Sequence, residues 1–109
     1  MKLCKDLRKE DNHEYHYLAW EKEENKNALV IDIREQTDYR SGKIKNSINI
    51  PMEELEKNYE QIPRNKIIVL YCESGGTSIL AAKELFDIGY VTRALVGGIK
   101  AYSGKYFVS

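Results

Sequence analysis

The 109-residue chain is short of cysteine and histidine and has no surplus of either charge. Each shortage excludes a class of function. Two cysteines, Cys4 and Cys72, far apart in the chain, supply no disulfide framework. Two histidines, His13 and His16, with no C-x-x-C pair, leave a structural zinc site without its donors, and no metal or cofactor is expected. Seventeen basic residues against seventeen acidic ones give none of the basic excess that a nucleic-acid or anionic-membrane surface requires. No apolar run approaches the length of a membrane span. Thirteen of the first 27 residues are charged and no apolar core follows the basic start, which does not fit a secretory signal. The expectation is a cytoplasmic protein with neither nucleic acid nor membrane as partner.

What is present is an ordinary globular composition, 42% hydrophobic and 31% charged, in a length that suits one core. Residues 1–12 are mostly polar and read as an N-terminal arm, with one domain over 13–109. A helix is expected over Leu18–Glu24, with Trp20 at the edge of the core. Ala28–Ile33 and Lys66–Tyr71 are continuous apolar runs rich in β-branched residues, as in strands buried on both faces of a parallel sheet. Between them lie a polar connection with a short helix near Thr37–Arg40, a short strand Ser47–Ile50 and an acidic helix Met52–Tyr59 opened by Pro51. Ile79–Ile88 reads as a helix, with Lys83, Glu84 and Asp87 on one face and Ile79, Ala82, Leu85 and Phe86 on the other. Gly89 stands at its C-terminal cap, Val91–Val96 is a further strand, and a last helix starts near Ile99. Strands alternating with helices give an α/β domain around a mainly parallel sheet.

The chemistry gathers at Cys72-Glu73-Ser74-Gly75-Gly76-Thr77-Ser78, between a buried strand and a helix. In parallel sheets, ligands bind beyond the carboxyl ends of the strands. Two adjacent glycines permit a tight loop that turns successive N–H groups inward as an anion nest. The helix that follows adds its unpaired N–H groups and the positive end of its dipole. These groups favour a thiolate, so the implied chemistry is nucleophilic attack by Cys72 sulfur.

Three stretches resemble the single-domain rhodaneses, the thiosulfate sulfurtransferase family. The first is Asp32-Ile33-Arg34, Asp38-Tyr39 and Gly42-Lys43-Ile44-Lys45-Asn46-Ser47-Ile48-Asn49-Ile50-Pro51, similar to the family's D-x-R…E-[FY]-x-x-G-H-I-x-G-A-x-N-[IL]-P. The second is the Cys72 loop. The third is Gly89-Tyr90 with Val96-Gly97-Gly98-Ile99-Lys100-Ala101-Tyr102, similar to G-[FY]…L-x-G-G-x-x-x-W. The resemblance covers about residues 28 to 102. It implies a five-stranded parallel sheet with helices on both faces. It also implies that Cys72 takes a sulfane sulfur from a donor such as thiosulfate or a protein persulfide, becomes a persulfide, and passes the sulfur to a thiol or a cyanide-like acceptor. The backbone of Glu73, Ser74, Gly75, Gly76, Thr77 and Ser78 would cradle the charge, with the three hydroxyls within reach and Asp32 and Arg34 at the pocket rim.

The sequence departs from that pattern in its charges. Active sulfurtransferases of the family often carry arginine after the cysteine and a basic residue within the loop; here these places hold Glu73 and Thr77. Glu73 should repel thiosulfate if it faces the pocket, and matter little if it faces solvent. Lys43 replaces the family's histidine and Tyr102 its tryptophan, both readable as surface or packing changes. Phosphatases and arsenate reductases of this fold form an alternative, but their loop ends in an arginine where this chain has Ser78. A regulatory, sulfur-carrier or protein-binding module with little turnover is the other alternative. Asp32 reads as a structural ion pair or a loop cap, and Arg34 as a group able to attract an anionic donor. Cys4 is a conceivable resolving thiol, the eight tyrosines read as core and rim, and Gly97-Gly98 as a tight strand-to-helix turn.

Overall fold

In the computed structural model of the chain, residues 14–15, 27–102 and 107–109 are described. The strands are β1 (Glu14–Tyr15), β2 (Ala28–Asp32), β3 (Lys43–Ile44), β4 (Ile48–Asn49), β5 (Ile67–Tyr71), β6 (Val91–Leu95) and β7 (Phe107–Val108). The α-helices are α1 (Gln36–Ser41), α2 (Met52–Lys57) and α3 (Gly76–Asp87), with single 3-10 turns at Tyr59–Gln61 and Ile99–Ala101.

Five strands form one sheet in the order β1-β6-β5-β2-β4, with every neighbouring pair parallel. Alternate residues of a strand point to opposite faces, and the two apolar runs supply both. Ile31, Ile68, Leu70 and Ala94 enter one core with Leu55 of α2 and Ala81, Ala82 and Leu85 of α3. Val30, Val69, Tyr71 and Leu95 enter a second core with Ile44, Ile99 and Tyr102. Two α-helices cover one face, and among the described residues Ile44 of β3, the Ile99 turn and Tyr102 cover the other, so both faces are buried and β2 and β5 carry no polar alternation. This is an α/β fold. Tyr102 is 8% exposed and packs in the second core. Lys43 sits over the Tyr39 ring at 4.9 Å.

Several boundaries differ from the sequence expectation. The helix expected from Ile79 begins at Gly76, so Thr77 and Ser78 belong to its first turn rather than to the loop. The acidic helix stops at Lys57, because Asn58 leaves helical geometry, and a separate 3-10 turn follows. The expected last helix is a single 3-10 turn within the described residues. β3 and β7 pair antiparallel, joining segments far apart in sequence that no local pattern announces. The expected arm over 1–12, the helix over 18–24, and Cys4, His13, His16 and Trp20 lie outside the described residues.

The topology fixes where a site can form. After β2 the chain moves to β4 on one flank, then returns to β5 on the other. Connections leave in opposite directions there, opening a crevice beyond the carboxyl ends of β2 and β5. Asp32 and Tyr71 face each other at those ends.

Candidate active site

Cys72 is the first residue past β5, a free cysteine that is 7% exposed. Its Sγ accepts the backbone N–H of Gly75 at 3.1 Å and that of Ser78 at 3.4 Å. The thiol lies 3.5 Å from Ser78 Oγ, to which it donates, while that hydroxyl donates to the Gly75 carbonyl at 3.1 Å. Gly75 caps α3 with φ of 108°, a left-handed conformation that glycine adopts without steric cost. This turn brings both N–H groups onto one sulfur. The Ser78 N–H is one of the donors that a helix start leaves without an internal partner. Here it serves the sulfur, in the region where the helix dipole favours negative charge.

A second turn holds the loop from behind. The Cys72 carbonyl accepts the Ile99 N–H at 2.9 Å, and the Glu73 carbonyl accepts the Lys100 N–H at 3.0 Å. In a trans peptide the C=O and the next N–H point in opposite directions. Tying these carbonyls to the 3-10 turn therefore directs the N–H groups of Glu73 and Ser74 away from it. The approach is close enough that a Cβ on Gly98 would sit 2.5 Å from the Cys72 carbonyl oxygen. Sequence reasoning finds Gly97-Gly98 as a turn but misses that it supports the cysteine loop. The available signal is the glycine pair directly after a buried strand.

The other side of the crevice is built of charge. Asp32 is fully buried and receives Arg34 Nη2 at 2.8 Å, Arg34 Nε at 3.1 and 3.2 Å, and the Arg34 backbone N–H at 2.9 Å. Arg34 Nη2 also donates to the Gly42 carbonyl at 2.6 Å, and Nη1 reaches Glu73 Oε1 at 3.4 Å. Burial alone would pull the Arg34 guanidinium down, but the hydrogen bond and charge of Asp32 outweigh it and hold the group above its usual range. Burial pushes the Tyr71 phenol up, and Asp32 adds to that, while bonds from Ser47 and the Ile44 N–H act the other way. Tyr71 is thus a neutral strut between the sheet and the segment Ile44–Ser47.

Of the residues expected at the site, Cys72, Gly75 and Ser78 come together. Glu73 pairs with Arg34 across the crevice, and its side chain is 59% exposed. Ser74, Gly76 and Thr77 are exposed. Ser78 is the expected hydroxyl that bonds Sγ; neither Ser74 nor Thr77 does so among the described residues. Gly76 has open space where its side chain would be, so Gly75 is the member of that pair whose geometry requires glycine. A cavity of about 260 Å³ opens beside the loop, lined by Arg34, Asp38, Glu73, Ile99, Lys100 and Phe107 among others.

The five-stranded parallel sheet, with a cysteine on a strand-to-helix turn and two backbone donors on its sulfur, defines an α/β protein. The family model of the rhodanese-like domain matches residues 16–105, and the chain belongs to that family. Among its relatives, the tRNA sulfurtransferase of Desulfurococcus amylolyticus is 33% identical over 75 residues, which is 69% of this chain but 15% of that protein's length. The thiosulfate sulfurtransferase GlpE of Coxiella burnetii is 26% identical over 92 residues, 84% of this chain and 86% of that one. The crystal structure of a rhodanese-related protein from Thermoplasma volcanium is 29% identical and aligns with a TM-score of 0.77 over 83% of this chain and 89% of that one. No helix among the described residues is long and apolar enough to cross a membrane.

Proposed function

We propose that the protein is a cytoplasmic sulfurtransferase that carries a sulfane sulfur on Cys72 as a persulfide. The observation that supports this best is the convergence of the Gly75 and Ser78 N–H groups on Cys72 Sγ at the start of α3. The Cys72 thiolate attacks the outer sulfur of a donor, such as thiosulfate or a protein persulfide. The S–S bond of the donor breaks, and its remainder leaves with the bonding electron pair, as sulfite in the case of thiosulfate. A thiol or a cyanide-like nucleophile then attacks the terminal sulfur of the Cys72 persulfide and regenerates the thiolate. Storing the sulfur covalently divides one transfer into two displacements, with ping-pong kinetics as the signature. The negative terminal sulfur is stabilised by backbone dipoles that are already oriented and need no reorganisation.

Intact-protein mass after incubation with thiosulfate, and separately with a persulfide donor, tests this reading. Wild-type protein gains one sulfur and Cys72→Ser gains none while keeping its fold; transfer retained in Cys72→Ser would refute the mechanism. A second reading, a carrier or regulatory module with little turnover, draws support from Glu73, the one ionised side chain of the loop. A folded, reduced protein that gains no sulfur from either donor would favour it. A phosphatase-type reaction lacks support. The arginine that would grip phosphate is Ser78 here, Arg34 is engaged with Asp32, and buried Arg93 donates to the Thr92 carbonyl.

A further inference from the structure

The Ser78 hydroxyl has one proton and two acceptors within reach. Ser78 is fully buried, and its Oγ lies 3.1 Å from the Gly75 carbonyl oxygen and 3.5 Å from Cys72 Sγ. While Sγ carries a proton, the thiol donates to Oγ and the hydroxyl donates to the carbonyl. A thiolate has no proton to give and is the stronger acceptor, so the same hydroxyl turns toward it. The turn strands no carbonyl, because the Gly75 oxygen also accepts the Ile79 N–H at 3.2 Å. Of the groups within hydrogen-bond reach of Sγ among the described residues, this hydroxyl is the one free to rotate; the Gly75 and Ser78 N–H groups are fixed by the backbone. No ionisable side chain among the described residues hydrogen-bonds to Sγ, and the neighbouring Glu73 is turned to Arg34.

We propose that Ser78 is a catalytic residue whose hydroxyl follows the charge on Sγ and acts in the second displacement, where the Cys72 thiolate is the leaving group. The proposal rests on the sulfurtransferase reading and adds a side-chain step to it. During loading, Sγ attacks the outer sulfur of the donor, the donor's S–S bond breaks, and the remainder leaves with the electron pair. Sγ is then a neutral bridging sulfur with the charge on the outer atom, so the hydroxyl returns to the Gly75 carbonyl. During unloading, the acceptor bonds to the outer sulfur, the Sγ–S bond breaks, and the electron pair stays on Sγ. Charge reappears beside Ser78, and its proton swings back to meet it. With cyanide as acceptor the product is thiocyanate, and neither oxidant nor reductant is consumed. Stabilising the thiolate helps it leave and hinders its attack, so the hydroxyl moves the two half-reactions in opposite directions. A hydrogen bond to a charged acceptor shifts an equilibrium by about tenfold or more. Roughly half of that, on a logarithmic scale, falls on the rate of thiolate attack, about threefold, and the rest on the rate of its departure.

The test measures the two half-reactions separately on the full chain, wild type and Ser78→Ala, by intact mass in single turnovers. Cysteine persulfide loads Cys72 and cyanide unloads it. Each variant rate is divided by the wild-type rate at the same pH, which cancels the ionisation of the reagents. Ser78→Ala should unload about threefold more slowly. Its loading ratio should rise with pH, from below one where ionised Cys72 is scarce to about three where all of it is thiolate. The fold should survive, since the Gly75 carbonyl keeps the Ile79 N–H, and circular dichroism checks this. Two ratios that fall together at every pH would mark Ser78 as a support of the loop, and two that stay at one would mean that its hydroxyl never turns. Either result overturns the proposal while wild-type sulfur transfer stands. A wild-type chain that gains no sulfur from cysteine persulfide or from thiosulfate would overturn the sulfurtransferase reading and the proposal with it.

Discussion

The two walls of the crevice are made of different materials. One wall, Gly75 to Ser78 backed by Gly97 and Gly98, presents backbone N–H groups to sulfur and holds no ionised side chain. The other, Asp32, Arg34 and Glu73, is all charge, but the charges answer one another. The backbone wall can stabilise a negative sulfur because its dipoles are fixed by the fold and oriented before any substrate arrives. The charged wall can do little for a free anion, because Arg34 is already bound on three sides. The backbone donors and the paired charges are therefore separated in space, and each can be broken without the other.

The largest effect is expected from breaking the backbone wall at its support. Gly98 has φ of 65°, and a Cβ there would meet the Cys72 carbonyl oxygen at 2.5 Å and the Glu73 carbonyl oxygen at 2.6 Å. Gly98→Ala must displace the loop and weaken the Ile99 and Lys100 bonds that hold it. Backbone strain of about 1–3 kcal/mol and two weakened hydrogen bonds sum to roughly 4 kcal/mol. In a domain of this size that lowers Tm by roughly 15 °C or more. Sulfur loading of the folded fraction should fall at least about tenfold, since the N–H groups no longer converge on Sγ. Wild-type loading and Tm in this variant would show that the second glycine pair does not set the geometry of Cys72.

Breaking the charged wall should act on stability first. Asp32 has no exposure and the Arg34 side chain is 9% exposed, so Arg34→Met strands a carboxylate inside the protein. Removing one partner of a buried pair costs about 3–5 kcal/mol, and a position at the rim argues for the lower end. The double variant Asp32→Asn/Arg34→Met should recover more than half of that loss, because no lone charge is left behind. Chemical denaturation of the three proteins measures it. A double variant no more stable than Arg34→Met would mean that the pair is held for its packing against Tyr71 rather than for charge.

How much of this is legible in the sequence also differs between the walls. The backbone wall can be read because its elements are local: a strand of five apolar residues, then cysteine, then small residues, within one short stretch. The strands themselves are visible because a sheet buried on both faces needs continuous apolar runs. The charged wall is half legible. Asp32 reads as an ion pair or a loop cap, but its partner Arg34 is given by the structure, and the Arg34–Glu73 contact joins positions 39 apart. Only the strand order, which sets β2 beside β5, brings it about. The β3–β7 pair escapes for the same reason, being two residues against two with no local pattern. The start of α3 reads too late because Gly76 and Thr77 are weak helix formers, and packing of Ala81, Ala82 and Leu85 decides the matter.

The smallest predicted effect separates the two glycines that the sequence presents as a pair. Gly75 has φ of 108°, and a Cβ there would sit 3.2 Å from the Gly97 nitrogen. Gly76, one residue on, is the first residue of α3 and has no positive φ, and a Cβ there would meet nothing within 4 Å. Gly75→Ala should cost about 1–3 kcal/mol through strain alone. Gly76→Ala should stabilise by roughly 0.4–1 kcal/mol, since alanine loses less backbone freedom on entering a helix. Opposite signs from identical substitutions at adjacent positions would show that the fold demands one glycine there. Thermal unfolding of both variants measures the signs directly. If Gly76→Ala also destabilises, the first turn of α3 is constrained by something other than the space around it, and the backbone wall extends one residue further than its hydrogen bonds show.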